Sequence, residues 1–125
     1  ISMQWTLTGK PIMIYADKTH VNRLFTNLIQ NALQSVPENI VPSIQIEESV
    51  LDGHVLIKIK DNGEGIPENT HSKIFTPNFT TKTSGTGLGL AMCKRIVEQM
   101  NGKIWFETTL HEGTTFFIEI PLTAH

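Results

Sequence analysis

Apolar residues fall at positions 21, 24, 25, 28, 29, 32, 33 and 36. This i, i+3, i+4 spacing places them on one stripe of a helix and predicts an amphipathic helix. Asp17 suits its N-cap and Pro37 ends it. Such a helix must bury its stripe against another layer. The rest of the chain supplies strands for that layer. Residues 43–51 and 54–60 alternate in stretches around Asp52-Gly53, a hairpin signal. Residues 103–109 and 114–121 form a second strand pair around Glu112-Gly113, and 3–8 with 11–16 a third around Gly9-Lys10. A second helix is expected from about 87 to 101, closed by Asn101-Gly102. The order β-β-α-β-β-loop-α-β-β predicts an α+β fold, a two-layer α/β sandwich. Its mixed, mostly antiparallel sheet would be covered on one face by helices.

Size and composition narrow the function classes. The chain has 125 residues, which makes residues 1–125 one domain. Hydrophobic residues make up 39% and charged residues 18%, which excludes a disordered or coiled-coil composition. Ten basic against twelve acidic residues leave a formal net charge of −2, so no basic field exists for nucleic acid. No apolar run is long enough to span a membrane, and no membrane contact by this domain is expected. A single cysteine, Cys93, excludes an internal disulfide and a cysteine-based zinc site. It shares an apolar helix side with Leu90, Val97 and Met100 and reads as core filling. The histidines at 20, 54, 71, 111 and 125 show no metal-ligand spacing, and no serine sits in a nucleophile elbow. The first residues carry neither a charged start nor an apolar signal segment and read like a piece of a longer chain.

Residues 62–86 lose all periodicity, and a loop this long in a compact domain is functional or disordered. The candidates for chemistry cluster at its borders. Asp61 continues the parity of Val55, Ile57 and Ile59, so its carboxylate points to the apolar side, where it needs hydrogen-bond donors. Two readings stand on these residues alone. Asp61-Asn62-Gly63 is a turn whose aspartate bonds its own backbone, or Asp61 is a ligand-binding acid with Gly63 and Gly65 admitting a flat ligand. Thr114 shares the inward face of Phe116, Ile118 and Ile120, which brings its hydroxyl beside Asp61, or leaves it an ordinary sheet threonine. Asn27 and Asn31 lie i, i+4 on the first helix. They are either a solvated face or amide oxygens at the lip of the core that suit a hard cation.

Gly85-Thr86-Gly87-Leu88-Gly89 opens the second helix, where free N–H groups and the helix dipole suit phosphate. No Lys-Ser/Thr follows at Walker A spacing, and the spacing is not that of a dinucleotide fingerprint. Lys82 precedes the turn and adds a charge there, or is a solvated loop lysine.

Four segments now stand in order: Asn27-Leu-Ile-Gln-Asn31-Ala, Asp61-Asn-Gly-Glu-Gly65, Ile74-Phe75 through Phe79-Thr-Thr-Lys82, and Gly85-Thr-Gly-Leu-Gly-Leu90. Together with Gly113-Thr-Thr-Phe116 they resemble the N, G1, F and G2 boxes of the catalytic ATP-binding domain of sensor histidine kinases. That domain shares its fold with gyrase, a class of heat-shock chaperones and the mismatch-repair ATPases. The resemblance runs from Asp17 to Leu122 and is nearest the nitrogen-regulation type, with a short lid. It implies that Asp61 accepts the adenine amino group, supported by Thr114, and that Gly63, Gly65 and Ile66 line the pocket. It implies Asn31 as the Mg²⁺ ligand with Asn27 nearby, and residues 66–84 as an ATP lid carrying Phe75, Phe79 and Thr81. Gly85, Thr86, Gly87, Leu88 and Gly89 would form the phosphate turn, and Lys82 would touch the terminal phosphates.

The implied activity is a two-component protein-histidine kinase. It would bind Mg-ATP and pass the γ-phosphoryl group to a histidine on its own dimerisation domain. A response regulator receiver domain would be the next acceptor. His111-Glu112 runs into Gly-Thr-Thr-Phe and does not match the family's acceptor motif, so the acceptor is expected upstream. The domain would be cytoplasmic, in a protein whose membrane anchoring stays open. Two departures stand out. Gln34 replaces a basic residue common three positions after the Mg²⁺ asparagine, and Asn27 replaces the glutamate base of the hydrolytic relatives. An amide takes no proton at neutral pH, which disfavours hydrolysis by water. The alternative from another class is an anti-sigma-factor-type serine kinase acting mainly as a protein-binding module. A degenerate, non-binding scaffold is a further alternative, against which Asp61 and Asn31 speak.

Overall fold

The structure is a computed structural model and describes residues 2–6, 18–76 and 89–121. In chain order the elements are β1 (Ser2–Thr6), α1 (Lys18–Gln34), β2 (Ser43–Leu51), β3 (His54–Asp61), a single 3-10 turn (Glu68–Thr70), α2 (Gly89–Gln99), β4 (Lys103–Thr109) and β5 (Gly113–Pro121). The strands form one five-stranded sheet in the order β1-β2-β3-β5-β4. Three neighbouring pairs are antiparallel, and β1 runs parallel to β2. The mixed, mostly antiparallel α+β expectation therefore holds. The connection between β1 and β2 contains α1, as a parallel neighbour requires a crossover. The strand expected at 11–16 and the cap at Asp17 lie outside the described residues.

The hairpin signal at Asp52-Gly53 is realised with both residues in the left-handed region, φ 53° and 76°, which suits a tight turn between twisted strands. Helix α2 closes with the amide of Gly102 donating to the carbonyl of Val97 at 2.9 Å and that of Asn101 to Glu98 at 3.0 Å. Asn101 takes the left-handed conformation of this cap at φ 60°.

Alternation puts Ile44 and Ile46 of β2, Val55, Ile57 and Ile59 of β3, and Phe116, Ile118 and Ile120 of β5 on the buried face. Leu24, Leu28 and Ala32 of α1 and Cys93, Ile96 and Val97 of α2 close over them. Cys93 is fully buried, as its place on the apolar side predicts, and its thiol donates to the Leu24 carbonyl at 3.8 Å. The other sheet face carries Trp105 stacked on Phe117, centroids 5.4 Å apart, with Lys58 Nζ 5.8 Å from the Phe117 ring.

Part of the stretch without periodicity is well seated. The 3-10 turn at Glu68–Thr70 is followed by hydrogen-bonded turns through Thr76, and Ile74 is buried in the core. Periodicity could not register this, because single turns anchored by one apolar residue carry no repeat. Among the described residues no helix is long and apolar enough to cross a membrane.

Candidate functional site

The site is built at the end of β3. Asp61 is the last residue of the strand and 2% exposed. Its Oδ1 accepts the Gly63 amide at 2.8 Å and, across the sheet, the Thr114 amide at 3.2 Å. Of the two readings open in the sequence, the turn is the one these bonds show. The aspartate is also a buried carboxylate in an apolar layer, held by one donor from its own turn and one from β5.

The segment after Asp61 is clamped on both sides. On one side, the Asn62 side chain accepts the Ser43 amide at 2.8 Å and donates to the Val41 carbonyl at 3.0 Å, and the Glu64 amide donates to the Ser35 carbonyl at 3.0 Å. On the other, the His111 amide donates to the Glu64 carbonyl at 2.7 Å and the Ile66 amide to Thr108 Oγ1 at 2.9 Å. The segment thus threads between the end of α1 and the β4–β5 hairpin.

This explains the two glycines differently from the expected approach of a flat ligand. A Cβ on Gly63 would strike the Ser35 side chain and lie 2.8 Å from the Ser35 carbonyl oxygen. One on Gly65, whose φ is 81°, would lie 2.6 Å from the Thr109 carbonyl oxygen. Both positions need glycine because protein backbone already occupies the space.

Thr114 is buried at 4% exposure, on the face its parity predicts. Its backbone amide makes the bond to Asp61, while its hydroxyl lies 2.8 Å from Thr108 Oγ1. Asn27 and Asn31 are half-buried along α1. Asn27 Nδ2 donates to Met92 Sδ at 3.6 Å, a contact between the two helices. The Asn31 carbonyl accepts the Ser35 amide at 3.1 Å, which joins it to the residue that holds Glu64. Phe75 lies against the core, its ring 6.2 Å from Phe106 and 6.3 Å from Phe116, with Lys94 Nζ 5.8 Å from its centroid. His71 Nε2 pairs with the Ile66 carbonyl at 2.9 Å, and its ring meets Phe106 edge-on. Gly89 is the first residue of α2. Phe79, Thr81, Lys82, Gly85, Thr86, Gly87 and Leu88 lie outside the described residues.

The structure therefore joins Asp61, Gly63, Gly65, Ile66 and Thr114 into one unit. It adds Ser35, Asn62 and Thr108, which the sequence reading passed over. Thr108 had a usable signal, since it shares the inward parity of Ile104 and Phe106 on β4. Ser35 and Asn62 had none, because their contacts arise from chain crossings rather than from a repeat.

The site is thus a buried aspartate tied to a glycine turn and to the opposite strand, beneath two helices on a mixed sheet. Residues 16–124 match the model of the Histidine kinase-, DNA gyrase B-, and HSP90-like ATPase family, and the chain belongs to that family. Among curated relatives, Sporulation kinase D of Bacillus subtilis is 39% identical over 118 residues, covering 94% of this chain and 23% of that protein. Sensor histidine kinase ZraS of Salmonella typhimurium is 36% identical, covering 99% of this chain and 26% of that protein. The chain thus spans about a quarter of the length of these relatives. The nucleotide-free catalytic domain of histidine kinase ThkA matches with a TM-score of 0.83 at 37% identity, over 96% of this chain and 78% of that one. Full-length ShkA in complex with AMPPNP matches with a TM-score of 0.83 at 25% identity, over 99% of this chain and 26% of that one.

Proposed function

We propose that this chain is the catalytic ATP-binding domain of a two-component sensor histidine kinase. In this reading it binds Mg-ATP, and its γ-phosphoryl group passes to a histidine on a separate dimerisation domain, for relay to a response regulator. The observation that carries the reading is Asp61, a carboxylate 2% exposed and fixed by the amides of Gly63 and Thr114. Fixed acceptors beside an apolar layer suit a flat base bearing an amino group. The kinase names of the relatives and the nucleotide analogue bound to ShkA support the same assignment.

The remaining roles follow the resemblance of the boxes. The Gly85-Thr86-Gly87-Leu88-Gly89 turn meets the phosphates with backbone amides, and Lys82 adds one charge. Residues 66–84 serve as the lid, with Phe75 seated at its base. Asn31 fits a magnesium ion chemically, since its side-chain oxygen is a hard donor on a half-buried helix face. Magnesium takes one or two protein oxygens and completes its shell with phosphate oxygens and water, which matches a site with one amide ligand. When bound, the ion would neutralise charge on the β- and γ-phosphates. Asn27 carries no base and is engaged with Met92, so nothing at this position activates water. The chain's own part is to hold the nucleotide and leave the phosphoryl group for a protein acceptor.

The experiment is calorimetric titration of ADP into the wild type and Asp61→Asn. Replacing the carboxylate by an amide should weaken binding at least about tenfold, as expected for a lost hydrogen bond to a charged group. Unchanged affinity in a folded Asp61→Asn protein would remove the assignment.

A further inference from the structure

We propose that Thr108 is a positioning residue that sets the base preference of the site by orienting the Thr114 hydroxyl. The proposal rests on the adenine-nucleotide reading above and goes beyond it. A threonine hydroxyl has one proton to donate and two lone pairs to accept with. Thr108 Oγ1 has three partners: the Ile66 amide at 2.9 Å, the Gly113 carbonyl at 3.1 Å and Thr114 Oγ1 at 2.8 Å. The amide can only donate and the carbonyl can only accept. One arrangement satisfies all three contacts. Thr108 donates to Gly113, accepts from Ile66, and accepts from Thr114.

Thr114 has a single hydroxyl proton, and this arrangement directs it to Thr108. What Thr114 Oγ1 offers in any other direction is lone pairs. The same residue donates its amide to Asp61 Oδ1 at 3.2 Å, so it stands directly beside the carboxylate. The wall at Asp61 and Thr114 therefore presents side-chain acceptors and no side-chain hydroxyl donor. That polarity fits a ring edge bearing an amino group, as in adenine. It opposes a ring with a carbonyl oxygen at the same position, as in hypoxanthine. Without the Thr108 hydroxyl, the Thr114 proton is released and can turn toward such an oxygen.

The test is the affinity ratio of ADP to inosine diphosphate, measured by calorimetry on the wild type, Thr108→Val and Thr108→Ser. Thr108→Val should lower the preference for ADP by about tenfold, the size of one hydrogen-bond preference. Thr108→Ser, which keeps the hydroxyl, should retain the wild-type ratio. In a Thr114→Val background, Thr108→Val should leave the ratio within about twofold of the Thr114→Val value, because the group it orients is gone. Thr108→Ala provides the same readout should valine not be accommodated. A purely structural role would weaken both nucleotides equally. That result, or a wild-type ratio in folded Thr108→Val or Thr108→Ala, overturns the proposal while the nucleotide reading stands. A wild type that binds neither nucleotide overturns both.

Discussion

Gly63 shows how a single position serves packing and site together. Its missing side chain lets the Asp61–Ile66 segment lie against the end of α1, where the Ser35 carbonyl takes the Glu64 amide. Gly63→Ala forces the added methyl onto Ser35, including a backbone oxygen at 2.8 Å that cannot rotate away. We expect a loss of about 1–3 kcal/mol in stability, the usual cost of overpacking, read as a lower urea midpoint. Pairing it with Ser35→Gly should recover part of that loss, since the side-chain half of the clash disappears. No recovery would mean that the backbone contact alone sets the cost. At this scale the sequence was legible wherever parity applied. Asp61 and Thr114 could be placed inward because strand side chains alternate with period two. The reason for Gly63 was not legible, because its neighbour Ser35 is brought to it by the path of the chain.

Among the elements, β2, β3, β4, β5 and both helices follow from hydrophobic spacing, and the structure reproduces them within a few residues. The parallel pairing of β1 with β2 was hidden, since a five-residue strand does not reveal its partner. So was the seat of Ile74, which depends on a core assembled from distant segments. Helix α1 raises a separate expectation. It carries Asn31 on a half-buried face, and its stripe of Leu24, Leu28 and Ala32 fixes the rotation that puts it there. Asn31→Ala should therefore leave the helix intact and weaken nucleotide binding about tenfold or more with Mg²⁺ present. In EDTA the two proteins should bind alike. An equal loss with and without the metal would refute a cation role for Asn31.

Across the whole molecule, the helix layer and the sheet enclose Cys93 completely, and burial pushes its thiol up to about 12 from an ordinary 9.0. The sign follows from which state holds the proton more tightly. The folded protein keeps the thiol neutral where the unfolded chain has already ionised. The stabilisation is thus complete below about pH 9 and is lost as pH rises toward 12. Unfolding free energies from urea titrations should fall on the alkaline side with a slope of up to about 1.4 kcal/mol per pH unit. Cys93→Val should flatten that part of the profile. A wild-type profile identical to that of Cys93→Val would show that the thiol is not the group responsible.

The strand order β1-β2-β3-β5-β4 carries a further consequence. Among the described strands β4 is an outer one, paired through its backbone to β5 alone, and it is also the strand that holds Thr108. Edges are where sheets fray first, because each outer residue is tied to one neighbour instead of two. Here the margin of the sheet also borders the proposed site. Fraying of the outer strand would release the Ile66 amide and the Thr114 hydroxyl together, so the integrity of that edge and the chemical character of the proposed site beside it rise and fall as one.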